Sequence, residues 1–187
     1  MQQSDNLHSE SVSGISLGAL TALTDKLNAS GVYRVQCHEY EGGPLIWEDT
    51  FDNLVTTVGG NNMLDNHLAG SAYTAAWYMG LISFTGYTAV AITDTMAAHA
   101  GWVEDVNYSQ AARPTTAWSA ASAKSKALST GMVFTMNAPT TIKGCFLNTV
   151  STKSGTTGIL FSAGLFTGGD QPVVSGNTLT VSYTASV

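Results

Sequence analysis

Charge is what this sequence has least of. Asp, Glu, Lys and Arg together make up 11% of its 187 residues, well under the quarter or so usual in a soluble domain. The seven basic residues, Lys26, Arg34, Arg113, Lys124, Lys126, Lys143 and Lys153, form no cluster, and the net charge is −6. A basic patch that displaces counterions is the footprint of nucleic-acid binding, so no nucleic-acid partner is expected. Polybasic attachment to a membrane fails for the same reason. No apolar run approaches the length needed to span a bilayer, which is about 20 residues. The N-terminus, MQQSDNLHSESVSG, is polar and acidic and does not read as a signal peptide. The expectation is a protein made in the cytoplasm and not embedded in a membrane.

Cysteine is also scarce. Cys37 and Cys145 cannot make a disulfide framework, and each sits in an apolar, strand-like run. Two buried thiols are expected.

What is abundant is Thr, Ser, Gly, Ala and apolar residues, the last at 44%. Residues 1–14 offer almost no core-forming side chains and read as an arm. In SLGALTALTDKLNASG, Leu17, Leu20, Leu23 and Leu27 recur at three- and four-residue steps, one face of a helix. Ser16 suits its start and Gly31 its end. That leucine face needs a partner, either the parent domain or a neighbouring subunit. The domain division is therefore an arm with a short amphipathic helix over 1–30, then a β domain over 31–187.

From Val32 the period becomes two. In VYRVQCHEY, Tyr33, Val35 and Cys37 share one face and Arg34, Gln36 and His38 the other. Gly42, Gly43 and Pro44 mark a turn, and LIWEDTF resumes the extended pattern, so a hairpin is expected. A short helix from Asn61 or Asn62, carrying Met63, Leu64 and Leu68 and closed by Gly70, follows. TAAWYMGLISF reads as a buried strand whose Gly80 marks a bulge or a close backbone contact. Residues 83–130 are weakly periodic, and loops of that length are uncommon in compact domains, so either strands hide there or neighbours shape it. Five strand-like runs complete the chain: GMVFTMN, TTIKGCFLNT, GILFSAGLF, QPVV and NTLTVSYT. The fold class predicted is all-β, a jelly-roll-like β-sandwich of about eight strands with one or two short helices and an N-terminal arm; a barrel of about five strands with decorations is the competing architecture.

The densest set of functional residue types is DTMAAHAGWVED, from Asp94 to Asp105. It has no HExxH or paired CxxC, and the adjacent Glu104 and Asp105 point to opposite faces if extended. No metal, cofactor or catalytic residue is assigned. Asp94 is expected to cap a turn beginning at Thr95, Met96 to Ala100 to form one helical turn, and Gly101 to end it with a positive φ. Trp102 is expected to anchor the loop, with His99, Glu104 and Asp105 polar at its rim. Arg113 is expected to pair with Glu104 or Asp105, or to stack on a tryptophan. Cys37 beside His38 is a poor nucleophile–base pair, and Glu48, Asp49 and Asp52 look solvated. The residues expected at contacts are Leu17, Leu20, Leu23, Leu27, Trp102, Tyr108, Arg113 and Trp118.

The order of segments WEDTFDNLVTTVGGNNMLDNHLAG, AYTAAWYMGLI, DTMAAHAGWVEDVNYSQAARPTTAW and a tail with KGCFLNT, TGILFSAGLF and NTLTVSYTAS resembles small virion structural proteins of tailed bacteriophages. That resemblance implies a head decoration or cement protein on the capsid exterior. Its partners would be the major capsid protein and copies of itself, with a trimer favoured. A tail, fibre or head-to-tail connector component is the alternative, and a carbohydrate-binding module a further one.

Overall fold

The computed structural model describes residues 29–68 and 76–187. The arm leucines Leu17, Leu20, Leu23 and Leu27, and Gly70, lie outside the described residues. Ten strands and one helix follow in order: β1 (Ser30–His38), β2 (Leu45–Val55), α1 (Thr57–Leu68), β3 (Tyr78–Ser83), β4 (Glu104–Asp105), β5 (Ser125–Ala127), β6 (Met132–Thr135), β7 (Thr140–Asn148), β8 (Leu160–Leu165), β9 (Gln171–Val173) and β10 (Thr178–Ser186). Every pairing is antiparallel, and the strands run β4-β3-β7-β8-β2-β1-β10-β5, with β6 also on β10 and β9 also on β7. The result is the all-β, sandwich-like fold that the sequence predicts.

β2 makes two layers out of one ladder. Its first part, Leu45 to Asp52, pairs with β1, and its last three residues, Asn53 to Val55, pair with β8. The strand thereby passes from one sheet to the other, and the two inner faces share a core. Tyr33, Val35 and Cys37 of β1 and Leu179, Val181 and Tyr183 of β10 supply one side of it, all of them buried. Leu81, Cys145, Leu147 and Phe161 supply the other. The strict alternation read from VYRVQCHEY and NTLTVSYT is what places those side chains inward. The hairpin is present too, its turn closed by Gly43 N–H donating to Tyr40 O at 2.9 Å.

Alternation in β2 also turns Trp47, Asp49 and Phe51 inward. Asp49 is therefore buried, unlike the exposed Glu48 and Asp52, which corrects the expectation that all three are solvated. Its carboxylate accepts from Thr167 Oγ1 at 2.6 Å and Gly168 N at 2.8 Å, tying down the β8–β9 loop. Those bonds replace the water that burial removes.

The helix starts four residues before the expected Asn61. Thr56 is its cap: Thr56 Oγ1 accepts from Gly59 N at 3.1 Å, and Thr56 O from Gly60 N at 2.9 Å. VGG reads as a loop because glycine disfavours helices. Gly59 has a packing reason, since a Cβ there would lie 2.3 Å from Phe161 O on β8. Gly80 on β3 is a close contact as expected, its missing Cβ giving room to the Phe146 ring. Gly31 does not end a helix; it is the second residue of β1, with the Tyr183 ring packed where a side chain would go.

Strands do hide in the middle section, in fragments. Besides β4 and β5, Thr115 bridges Tyr78, Tyr108 bridges Met136 and Trp118 bridges Leu128. Ser109 N donates to Thr135 O at 2.8 Å and Thr116 N to Trp77 O at 2.8 Å. The excursion runs along the sheet edges one or two bonds at a time.

Both cysteines are free and buried, as predicted. Burial pushes the Cys37 thiol from its ordinary 9.0 up to about 11 and the Cys145 thiol further in the same direction. At about pH 8 the native thiols are expected to resist alkylation that modifies both at once in urea, because the thiolate is the reacting form. In the same way, between pH 9.0 and about 11 the unfolded chain releases thiol protons that the folded chain keeps, so stability falls as pH rises through that window. Adjacent glycines offer a second check by thermal unfolding. Gly59→Ala is expected to lose about 1–3 kcal/mol by overpacking against Phe161. Gly60→Ala, with open space around it, is expected to gain roughly 0.5–1 kcal/mol of helix propensity.

Candidate functional site

The 94–113 stretch folds around three buried carboxylates, Asp94, Glu104 and Asp105. Asp94 Oδ2 accepts from Trp102 Nε1 and from Ala91 N, each at 2.9 Å. It therefore caps the turn before it; the turn at Thr95 is closed instead by its own hydroxyl, which accepts from Ala98 N at 3.0 Å. Thr95 and Ala98 form an isolated bridge, so Met96 to Ala100 is a tight β-type turn and not a helical one. Gly101 has no positive φ. It is needed for proximity, because a Cβ there would sit 2.2 Å from Ala89 O. Trp102 is the anchor expected, 1% exposed and packed on Phe146 with ring centroids 5.1 Å apart. His99 stacks on its other side at 4.1 Å, and His99 Nδ1 lies 2.9 Å from Trp102 O.

Glu104 is the second carboxylate, and its partner is Arg113. Nε donates to Oε1 at 2.9 Å and Nη2 to Oε2 at 2.7 Å, a bidentate pair with side chains 0% and 4% exposed. The guanidinium also donates to Val150 O at 2.9 Å and Gly155 O at 3.3 Å. With the Asn148 amide oriented to satisfy both its neighbours, the oxygen accepts from Arg113 Nη1 at 2.7 Å and the nitrogen donates to Val150 O at 2.9 Å. Arg113 lies over the Phe146 ring, 5.2 Å from its centroid, and not on a tryptophan. Glu104 receives two further donors, Ser154 N at 2.6 Å and Tyr108 Oη at 3.3 Å. Asp105, on the opposite face of the two-residue strand, accepts from Asn107 N at 2.9 Å and Thr140 Oγ1 at 2.5 Å. Neither carboxylate stands at a rim, contrary to expectation: Asp105 is 2% exposed and the Glu104 side chain 4%.

Lys153 covers this cluster from outside. Its ammonium sits 3.6 Å from the Tyr108 ring centroid and donates to Tyr108 O at 2.7 Å. Burial lowers its pKa, against the opposing pull of Glu104 and Asp105. The Tyr108 hydroxyl is raised, first by burial and then by Glu104.

A cleft of about 210 Å³ opens over the pair, bordered by Met96, His99, Trp102, Ser154 and Thr156. The chemistry offered to it is limited. The four lone-pair positions of Glu104 are all engaged by donors, so it is poorly placed to take a proton from a substrate. Its role is to hold shape. Among the described residues no three of His, Cys, Asp and Glu converge as metal ligands, and no helix is long and apolar enough to cross a membrane.

Of the residues expected at contacts, Trp102, Tyr108 and Arg113 are instead interior, at 1%, 1% and 2% exposure. They have almost no surface left to bury against a partner, and the 94–113 loop uses them for internal packing. Trp118 is partly open and meets Tyr183 edge-on at 5.9 Å. Nothing in the sequence marks Asn148 or Lys153 for this cluster, and Asp49 reads as solvated beside Glu48 and Asp52. For Asp49 the signal was present, because it shares the inward phase of Trp47 and Phe51. No protein-family model matches this chain, and no curated protein matches it either.

Removing one member of a buried ion pair strands the other. Glu104→Gln and Arg113→Met are each expected to cost about 3–5 kcal/mol in chemical denaturation. The double variant should lose less than the sum by about 1–3 kcal/mol; additive losses would mean that the pair is not the coupling element.

Proposed function

We propose that the chain is a structural protein of a tailed-bacteriophage virion, a decoration or cement protein that sits on the capsid exterior and bridges subunits of the major capsid protein. The segment order described above supports this reading, as does the small number of charges. A surface rich in Ser and Thr loses less on being covered than a heavily charged one, since each buried charge must be desolvated.

The observation that carries the proposal is the tip of the β1–β2 hairpin. Tyr40, Leu45 and Ile46 stand 57%, 48% and 53% exposed there, on a turn pinned by Glu39 N donating to Pro44 O at 3.0 Å. A second exposed apolar group, Phe84, Val103 and Val106, borders the β4 edge. Large apolar side chains held out on rigid backbone suit attachment to another polypeptide, with little conformational entropy left to lose. On a shell, each copy would meet several coat chains, and modest contacts would then add through multivalency. Copies grouped as trimers around local symmetry axes would extend that addition.

Quantitative mass spectrometry of purified particles tests the assignment. Copies in number comparable to coat capsomers are expected; a handful at one vertex would assign the chain to the tail or connector instead. Tyr40→Ser with Ile46→Ser should abolish attachment to empty shells while leaving thermal unfolding of the isolated protein within about 1 kcal/mol, as for exposed positions generally. Undiminished attachment would rule out the hairpin tip as the adhesive element.

A further inference from the structure

Between α1 and the β5–β10 edge the surface opens into two adjoining clefts of about 240 and 250 Å³. They share Met63, Lys126, Phe161 and Ala185. Trp77 and Trp118 form one end, and the other is formed by Ala29 and Ser30, where the described chain begins. The floor is apolar: Leu147 and Phe161 are core side chains, with Met63, Trp77, Trp118 and Ala185 packed on them but only partly covered. Beside it, Leu64 and Leu68, one helical turn apart on α1, are 57% and 77% exposed.

We propose that this groove seats the chain's own residues 16–28, docked as an amphipathic helix through Leu17, Leu20, Leu23 and Leu27. Its leucine pattern and its point of attachment argue for that occupant. The segment carries a leucine stripe at helical spacing, and a helix this short needs packing to persist. As a helix it would run about 20 Å, from a rise of 1.5 Å per residue. It joins the fold at Ala29, which is itself part of the groove wall; a segment so tethered has an effective concentration on the order of millimolar, far above that of a second copy in solution. The inference does not rest on the virion reading, since it concerns the isolated chain.

Cysteine cross-linking in the full-length protein tests it. Leu20→Cys, Leu23→Cys or Leu27→Cys is combined in turn with Met63→Cys or Ala185→Cys and oxidised mildly; Cys37 and Cys145 are buried and stay out of the reaction. An intrachain bond, running as a monomer without reductant, is expected for at least one pair. Interchain dimers alone would give the groove to a neighbouring copy, and no cross-link in any pair would overturn the proposal. A second measurement guards against misfolded cysteine variants. Leu20→Asp with Leu23→Asp, and deletion of residues 1–28, should each raise binding of a hydrophobic dye several-fold with unchanged β-sheet circular dichroism. Unchanged dye binding in both would equally overturn it.

Discussion

The structure depends on one desolvated contact, the fork of Arg113 closed on Glu104. Moving two opposite charges out of water costs several kcal/mol per ion, and the loss is recovered only where geometry is good and every remaining donor is matched. Here it is matched. Arg113 spends its other protons on Val150 O and Gly155 O, and Glu104 its other lone pairs on Ser154 N and Tyr108 Oη. The pair therefore joins the β4 edge and the segment at Arg113, nine residues on, to the distant loop after β7. Arg113 N also donates to Ser151 O at 2.8 Å. Little else in that region has the regular ladder that holds the rest of the sandwich.

That contrast explains what the sequence made legible. β1, β2, β10 and the four strands between Met132 and Val173 follow a period of two or a continuous apolar run, and those patterns act through local geometry alone. The hairpin, its inward face and the buried thiols follow directly. The middle section obeys no period because it is held by isolated bridges and by side-chain contacts such as Asp94 with Trp102 and Asp105 with Thr140. Residue type misleads at those points. Glu104 and Asp105 read as surface groups because carboxylates are almost never buried unless paired, and their partners become visible only in three dimensions. The pairing of Arg113 with a neighbouring carboxylate was readable from composition, since so few bases are available; its depth was not. Gly59 misleads in the opposite sense, appearing to break a helix that requires it.

A loop fastened in this way behaves as part of the scaffold. Its aromatic residues are consumed in holding it, and large apolar side chains are left exposed at the hairpin tip and beside β4. The attachment proposed above needs no motion and no reacting group. It favours shape and apolar area over charge, which accords with an adhesive role and with the small number of ionised side chains.

The pairing of β1 with β10 has a mechanical side. Ser30 lies opposite Ser186, and eight further residue pairs follow in unbroken register to His38 and Thr178. Tension applied between those two ends would act across the ladder, loading its bonds one at a time as a zipper is opened. A pull entering along the strand axis would load them together. The β1–β10 ladder is thus weaker against peeling apart from Ser30 and Ser186 than against shear along its strands, and a sustained load is better borne by attachment elsewhere on the sandwich.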